Sequence, residues 1–324
     1  MLQKISQSAI AVIGAGMAGL TAAGMLQEAG FRVTVFDKGR GPGGRMAVRR
    51  TDSGFSFDHG AQFFTARNPD FHELLGRHEA VSDWHPVMAS SRVLDTDGWR
   101  VGVPAMNALP KALAAGLDLR VATQVVSLQF DADGWKLRTG AGEREGPFDL
   151  VLLAVPAPQA LGLAAGLDGP LADTIRRVAI DPCWAVMAGF REPLDPGYDV
   201  FTAAEGAIAW MAFNNSKPGR PRDGTSLVIH ASPDWSRVNL ELDKADAAQR
   251  LLGFAAERFG QPLPEPVYLE AHRWRYAKTR IPAGRAFLAS ETLPVLVCGD
   301  WCLGARVEYA FESGRAAALA LIET

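Results

Sequence analysis

Residues 9 to 46 read AIAVIGAGMAGLTAAGMLQEAGFRVTVFDKGRGPGGRM, and this stretch alone dictates the opening of a fold. Ala9 to Ile13 is a short apolar run. Gly14, Gly16 and Gly19 follow in G-x-G-x-x-G spacing, and Met17 to Ala29 is a helix former closed by Gly30. The order is strand, tight turn, helix. Gly14 permits the turn, Gly16 lets backbone approach a pyrophosphate, and Gly19 lets the helix lie close on the strand. Free N–H groups at the helix start then face the anion with no basic side chain needed. Arg32 to Phe36 is a second apolar run ending in Asp37, about 20 residues past the glycines, where a carboxylate accepts from both ribose hydroxyls and repels a 2′-phosphate. Three glycines in 324 residues can arise as ordinary turns. The strand before, the helix after and the acidic end of the second strand make the reading a dinucleotide cradle.

Composition excludes several classes. The net charge is −3 and no Lys/Arg-rich block or tail is present, so the electrostatic footprint of a nucleic-acid binder is missing. Ala9 to Leu26 is uncharged for 18 residues and follows Lys4, as a signal peptide or membrane span would. Cleaving it would remove the phosphate turn, and no other stretch approaches the roughly 20 apolar residues a span needs. A soluble cytoplasmic protein with no membrane partner is expected. Three cysteines, Cys183, Cys298 and Cys302, suit a reducing compartment, and the C-x-x-x-C spacing of the last two departs from that of redox pairs. The six histidines show no H-x-x-x-H pair backed by cysteines or carboxylates, so no metal is expected.

Along the chain, Asn68 to His78 reads as a short helix, Val81 to Arg100 as irregular or short strands, and Val103 to Gly116 as a Pro-interrupted helix. Leu119 to Phe130 alternates as one strand, and Asp133-Gly134 turns it into a partner, Trp135 to Thr139. Leu150 to Val155 is wholly apolar up to Pro156, as in a strand buried on both faces of a parallel sheet. From Ala157 the texture changes, with a helix predicted at Leu171 to Val178. Trp184 to Phe190, Ile208 to Phe213, Leu227 to Ala231 and Val267 to Tyr276 follow as aromatic and β-branched runs of an antiparallel sheet. Leu240 to Phe259 is an amphipathic helix that should back that sheet, and Val295 to Val297 with Val307 to Ile322 return to the first unit. The expectation is an α/β protein: a Rossmann-like domain of residues 1–80, 101–158 and 291–324, with a second α+β substrate domain of residues 81–100 and 159–290.

Gly43-Gly44-Arg45-Met46 and Asp58-His59-Gly60-Ala61-Gln62 resemble the second glycine motif and following segment of the flavin amine oxidase superfamily. The resemblance implies FAD rather than NAD as the bound cofactor. It puts Gly44 and Arg45 at the diphosphate, Gln62 and Phe63 against the flavin ring, and Val125 at the adenine side. Asp300 of the G-D segment falls on the ribitol or phosphate and Val307 at the pyrimidine end. Gly14, Gly16, Ala18 and Gly19, with Asp37 and Lys38, complete the expected cofactor set. No cysteine stands at a flavin-linking position, Ser313-Gly314-Arg315 being the nearest stretch, so the FAD is expected to be non-covalent.

Over nearly the whole chain, FDKGRGPGGRM, DHGAQFFTAR, NNSKPGR, SLVIHAS, AHRWRYA and VCGDWC together resemble the renalase family, its bacterial branch in particular. That resemblance implies an oxidase that takes a hydride from the 2- and 6-dihydropyridine isomers of NAD(P)H, restores NAD(P)+ and reduces O2 to H2O2. A dihydropyridine becomes aromatic on losing hydride, so no general base is required, and the protein must chiefly orient the ring. His272, Trp274 and Tyr276 share one strand face by period-2 counting, and Trp210 shares another with Asn214. Trp274, Tyr276, Trp210, Asn214, Asn215 and His230 are the candidate substrate-site residues. A flavin amine oxidase acting on a small amine, and a non-catalytic flavin-binding protein, are the alternatives.

Overall fold

The computed structural model describes residues 8–90, 95–164, 169–260 and 262–323. Within the stretch read as irregular between Val81 and Arg100, residues 91–94 lie outside the described residues.

The predicted opening forms as two parallel strands, Ala9–Ile13 and Arg32–Phe36, joined through the helix Met17–Glu28. They sit inside a six-stranded sheet ordered Leu288–Ala289, Val295–Val297, Leu150–Leu153, Ala9–Ile13, Arg32–Phe36 and Asp118–Arg120. All neighbours are parallel except the Leu288–Ala289 edge. Alternation along each strand sends its residues to two cores. Ile10, Val12, Leu152 and Leu296 pack against Met17–Glu28 and the last helix, Val307–Ile322. Ala11, Ile13, Val151, Leu153 and Val297 pack on the other side against an antiparallel three-stranded sheet, Val125–Asp131, Gly134–Thr139 and Arg144–Phe148.

The second large sheet is ordered Tyr268–Ile281, Ala179–Phe190, Thr225–Ala231, Ile208–Phe213, Val200–Thr202 and Met88–Ser90, antiparallel up to its last pair. The helix Lys244–Phe259 backs it, burying Leu251 and Ala255. Asp243 caps this helix by accepting from Ala245 N at 2.7 Å, and Gly260 ends it in the left-handed region at φ 67°. The result is the expected mixed α/β fold, a Rossmann-like layer joined to a unit built on an antiparallel sheet.

Several elements depart from the sequence reading. Leu119 to Phe130 is two strands: Asp118–Arg120 joins the parallel sheet, and the chain turns at Ala122, φ 53°, before Val125–Asp131 begins. The turn is set from outside, since Ala122 N donates to Gly39 O at 2.7 Å and Thr123 N to Asp37 O at 2.8 Å. The helix expected over Val103 to Gly116 shrinks to Ala108–Leu113, because Pro110 is tolerated only in a first turn. The helices Ala157–Ala164 and Gly169–Arg176 pack on the Rossmann-like layer, with Ala160, Leu171 and Ile175 in its core. The return to the first sheet starts at Leu288. The strand Arg144–Phe148 and the helix Pro233–Val238 had no clear sequence signal.

Candidate functional site

The first glycine turn is shaped by close approach. A Cβ on Gly19 would overlap the Gly14 carbonyl oxygen, and one on Gly14, at φ 115°, would stand 2.5 Å from the Ala154 carbonyl oxygen. Gly16 differs, for nothing lies within 4 Å of where its Cβ would be. It also caps Met17–Glu28 with no side chain on the helix's free amides. Open space before uncapped helix N–H groups fits a diphosphate. The second glycine turn docks on the first: Gly43 N donates to Ala15 O at 2.8 Å, and Gly44, at φ 53°, stands beside Gly16 Cα. Asn107 lies next to Gly43, and its buried Oδ1 has no donor among the described residues, which leaves an acceptor for a ligand hydroxyl. The residues present therefore fit a flavin dinucleotide.

Asp37 makes contacts that its sequence position did not reveal. Its Oδ2 accepts from Ala15 N and its Oδ1 from Gly39 N, both at 2.6 Å, tying the second strand to the first glycine turn. A carboxylate offers about four acceptor sites, so roughly two remain for ribose hydroxyls. Lys38 beside it is exposed, while Val125 is buried just past the segment that bonds Asp37 and Gly39. Arg45 and Asp300 form a two-pronged ion pair, with Nη1 to Oδ2 at 2.9 Å, and Arg45 Nη1 also donates to Ala277 O at 3.3 Å. Those contacts join the second glycine turn, the G-D segment and the strand Tyr268–Ile281. Ala18 is buried where the first and last helices touch, with Gly314 against its carbonyl. Val307 opens the last helix behind Arg306, which donates to Thr65 Oγ1 at 2.6 Å and pairs with buried Glu308 at 2.5 Å.

Around Gln62 the structure builds a buried ionic cluster. Asp58 Oδ2 accepts from Lys217 Nζ at 3.3 Å and from Arg220 Nε and Nη2 at 3.2 and 2.6 Å, and Oδ1 accepts from Met106 N at 3.0 Å. Lys217 Nζ also donates to Gln62 Oε1 at 3.1 Å, and the Gln62 amide donates to Asp58 O and, at 3.2 Å, to Gly60 O. Burial pushes the Asp58 carboxyl up, yet Lys217 and Arg220 outweigh it and hold the group below its ordinary value. Burial pulls Lys217 down to about 8 against the opposing pull of Asp58. Burial likewise depresses His59, His230 and His272 to about 4 each, so all three are neutral at ordinary pH.

Rings surround this cluster. Trp274 stacks on His59 at 5.3 Å and donates its Nε1 to His59 O at 2.9 Å, and His230 Nε2 donates to the same carbonyl at 3.1 Å. Phe63 stacks on Trp99 at 3.6 Å and lies 5.7 Å from Trp210, while Trp84 is 5.8 Å from Trp99. The structure thus brings Trp274, His230 and Gln62 to one backbone segment and groups Trp210 with Phe63. Tyr276 is half-buried on the Trp274 strand and joins no ring contact among the described residues. Asn214 follows the end of its strand, in a short helical turn, and braces Ser56 O at 2.8 Å. Asn215 accepts from Ser226 N at 2.6 Å and donates to Pro221 O at 2.7 Å, bracing its own loop. Lys217, Arg220, Trp84 and Trp99 were not singled out by sequence. The signal lay in NNSKPGR, where two cations sit among turn residues.

All three cysteines are free, burial raises Cys183 and Cys302 to about 12, and no group of three metal-ligating side chains occurs among the described residues. Among those residues no helix is long and apolar enough to cross a membrane.

The dinucleotide cradle thus meets an aromatic, ion-paired site on an antiparallel sheet. Residues 12–77 match the NAD(P)-binding Rossmann-like domain, and residues 89–322 match the flavin containing amine oxidoreductases. The chain belongs to that flavin-containing oxidoreductase family, with FAD as its cofactor. Its fold is similar to that of a candidate protoporphyrinogen oxidase from Exiguobacterium sp. 255-15, with TM-score 0.79 and 15% identity over 99% of this chain and 100% of that one. A redesigned putrescine oxidase is similar at TM-score 0.70 and 15% identity, over 98% and 99%. Identity this low establishes the fold alone. A 4,4'-diapophytoene desaturase of Staphylococcus haemolyticus is 51% identical over 99 residues, covering 29% of this chain and 19% of the desaturase. A hydroxyneurosporene desaturase of Rubrivivax gelatinosus is 33% identical over 107 residues, covering 33% and 20%. Each match spans about a fifth of the desaturase's length.

Proposed function

We propose that this oxidoreductase takes a hydride from the 2- and 6-dihydropyridine isomers of NAD(P)H and returns NAD(P)+ and, with O2 as acceptor, H2O2. The observation that carries the reading is that, among the described residues, no carboxylate or imidazole beside the aromatic site is a free base. Asp58 is buried and paired with Lys217 and Arg220, and His59, His230 and His272, held at about 4, are poor proton acceptors. A dihydropyridine needs none, because its ring nitrogen supplies the electron push.

Gly14, Gly16, Ala18 and Gly19 hold the diphosphate from one side, with Gly44 and Arg45 on the other. Asp37, Lys38 and Val125 serve the adenosine end, Asp300 and Val307 the ribitol and pyrimidine end, and Gln62 with Phe63 the ring. Bound there, FAD supplies the hydride acceptor and the reaction with O2. Trp274, with His230 behind it, and Trp210 hold the substrate ring flat and exclude water. In this reading residues 1–80, 101–158 and 291–324 form the cofactor domain together with the helix Gly169–Arg176 and the edge strand Leu288–Ala289, and the rest of residues 81–100 and 159–290 form the substrate domain.

Amine oxidation is the rival, favoured by the family the chain belongs to. Mixing anaerobic holoenzyme with isomerised dihydronicotinamide should bleach the flavin band quickly, whereas ordinary 4-dihydro-NADH and small amines should act slowly or not at all. Rapid bleaching by amines and none by the isomers would replace the proposal with the rival.

A further inference from the structure

We infer that Lys217 determines specificity by charge: with Arg220 it makes the aromatic site net positive, so the site admits neutral and anionic ring compounds and rejects protonated amines. The inference rests on the preceding reading for placing the substrate at Gln62 and Phe63.

Two cations meet one carboxylate in this cluster, and none of the three side chains is more than 1% exposed. Arg220 makes the shorter contacts to Asp58, 2.6 and 3.2 Å, against 3.3 Å for Lys217. Among the described residues the other contacts of Lys217 Nζ are uncharged: the Gln62 amide oxygen at 3.1 Å and the face of Trp84, 5.2 Å from the ring centre. His59 on the Gln62 segment, His272 edge-on to His59, and His230 beside the Gln62 amide are neutral near pH 7. One positive charge is left unbalanced in a dry interior, where charges act over several ångströms.

That charge adjoins the rings. Trp84 leads to Trp99 at 5.8 Å, and Trp99 to Phe63 at 3.6 Å and Trp210 at 5.8 Å. Aromatic faces by themselves attract cations. Here a resident ammonium already covers one of them, so a second cation meets repulsion instead.

The test uses purified holoenzyme and two unreactive ring compounds of opposite fixed charge, benzoate and benzyltrimethylammonium, with binding read from the flavin's visible spectrum. At pH 7 benzoate should bind at least about tenfold more tightly. Raising the pH to 9.5 discharges Lys217, held near 8, and changes neither probe, so the preference should shrink toward unity in the unmutated protein. Lys217→Met should give the same result at pH 7, with Arg220 still neutralising Asp58. Equal binding of both probes, binding of neither, or a preference that neither step changes would overturn the inference. Rapid bleaching by dihydropyridine isomers alongside such a result would sink the charge filter and leave the proposed reaction standing.

Discussion

Asp58→Ala tests the buried cluster on which both the site and its charge depend. The alanine strands Lys217 and Arg220 without their shared carboxylate and leaves Met106 N without its acceptor. Removing one partner of a buried ionic group costs about 3–5 kcal/mol, because the remaining charge stays desolvated. Against a total stability of roughly 5–15 kcal/mol this is a large loss, a fall in Tm on the order of 10 °C. The exposed pair Glu73–Arg77 supplies the contrast, since its side chains are 65% and 64% exposed and Glu73→Ala should cost under about 1 kcal/mol. Urea unfolding followed by tryptophan fluorescence measures both variants. The combination Asp58→Ala with Lys217→Met should be less damaging than the sum of the two, because one stranded cation is removed. A cost below about 1 kcal/mol for Asp58→Ala, or strict additivity in the pair, would refute the description of a dry, mutually compensated cluster.

Gly16→Ala should fold normally yet lose FAD, since its methyl enters open space before the helix amides; Gly19→Ala should fail to fold, its methyl meeting the Gly14 carbonyl. Flavin content and thermal melts of the two variants distinguish these outcomes. Asp37→Ala should weaken FAD retention by on the order of 1.5–3 kcal/mol and loosen the glycine turn it ties to Ala15 and Gly39, read from flavin release under dilution; unchanged retention contradicts the role. Trp274→Ala should lower kcat/KM about ten- to a hundredfold with FAD content preserved, and an unchanged kcat/KM removes Trp274 from the site. Lys217 has a folded value near 8 and an ordinary one of 10.5, so the unfolded chain binds more protons between them and stability rises with pH across that window. The gain, about 2 kcal/mol relative to Lys217→Met by urea unfolding at pH 7.5 and pH 10, should vanish if Lys217 is solvated.

The glycine spacing of residues 14 to 19, the aromatic and β-branched run of Ile208 to Phe213 and the apolar run from Leu150 declared their elements because turn chemistry and side-chain type act within a few residues. They were enough to place the cradle and the antiparallel sheet. Leu119 to Phe130 misled the same reasoning, since amide bonds to Asp37 and Gly39, on another strand's end, decided where it turned. Asn215 braces its own loop through Ser226 N, and Asp37 ties the second strand to the glycine turn, contacts that no local pattern announced. Nothing in its local sequence marked Lys217 as buried. Its partner Asp58 is 159 positions away, as Arg45 is 255 positions from Asp300, and only the topology of the two sheets brings such residues together. A charged side chain's chemistry is set by how much water the fold leaves around it, and that is a property of the packed structure, absent from any local stretch of the chain.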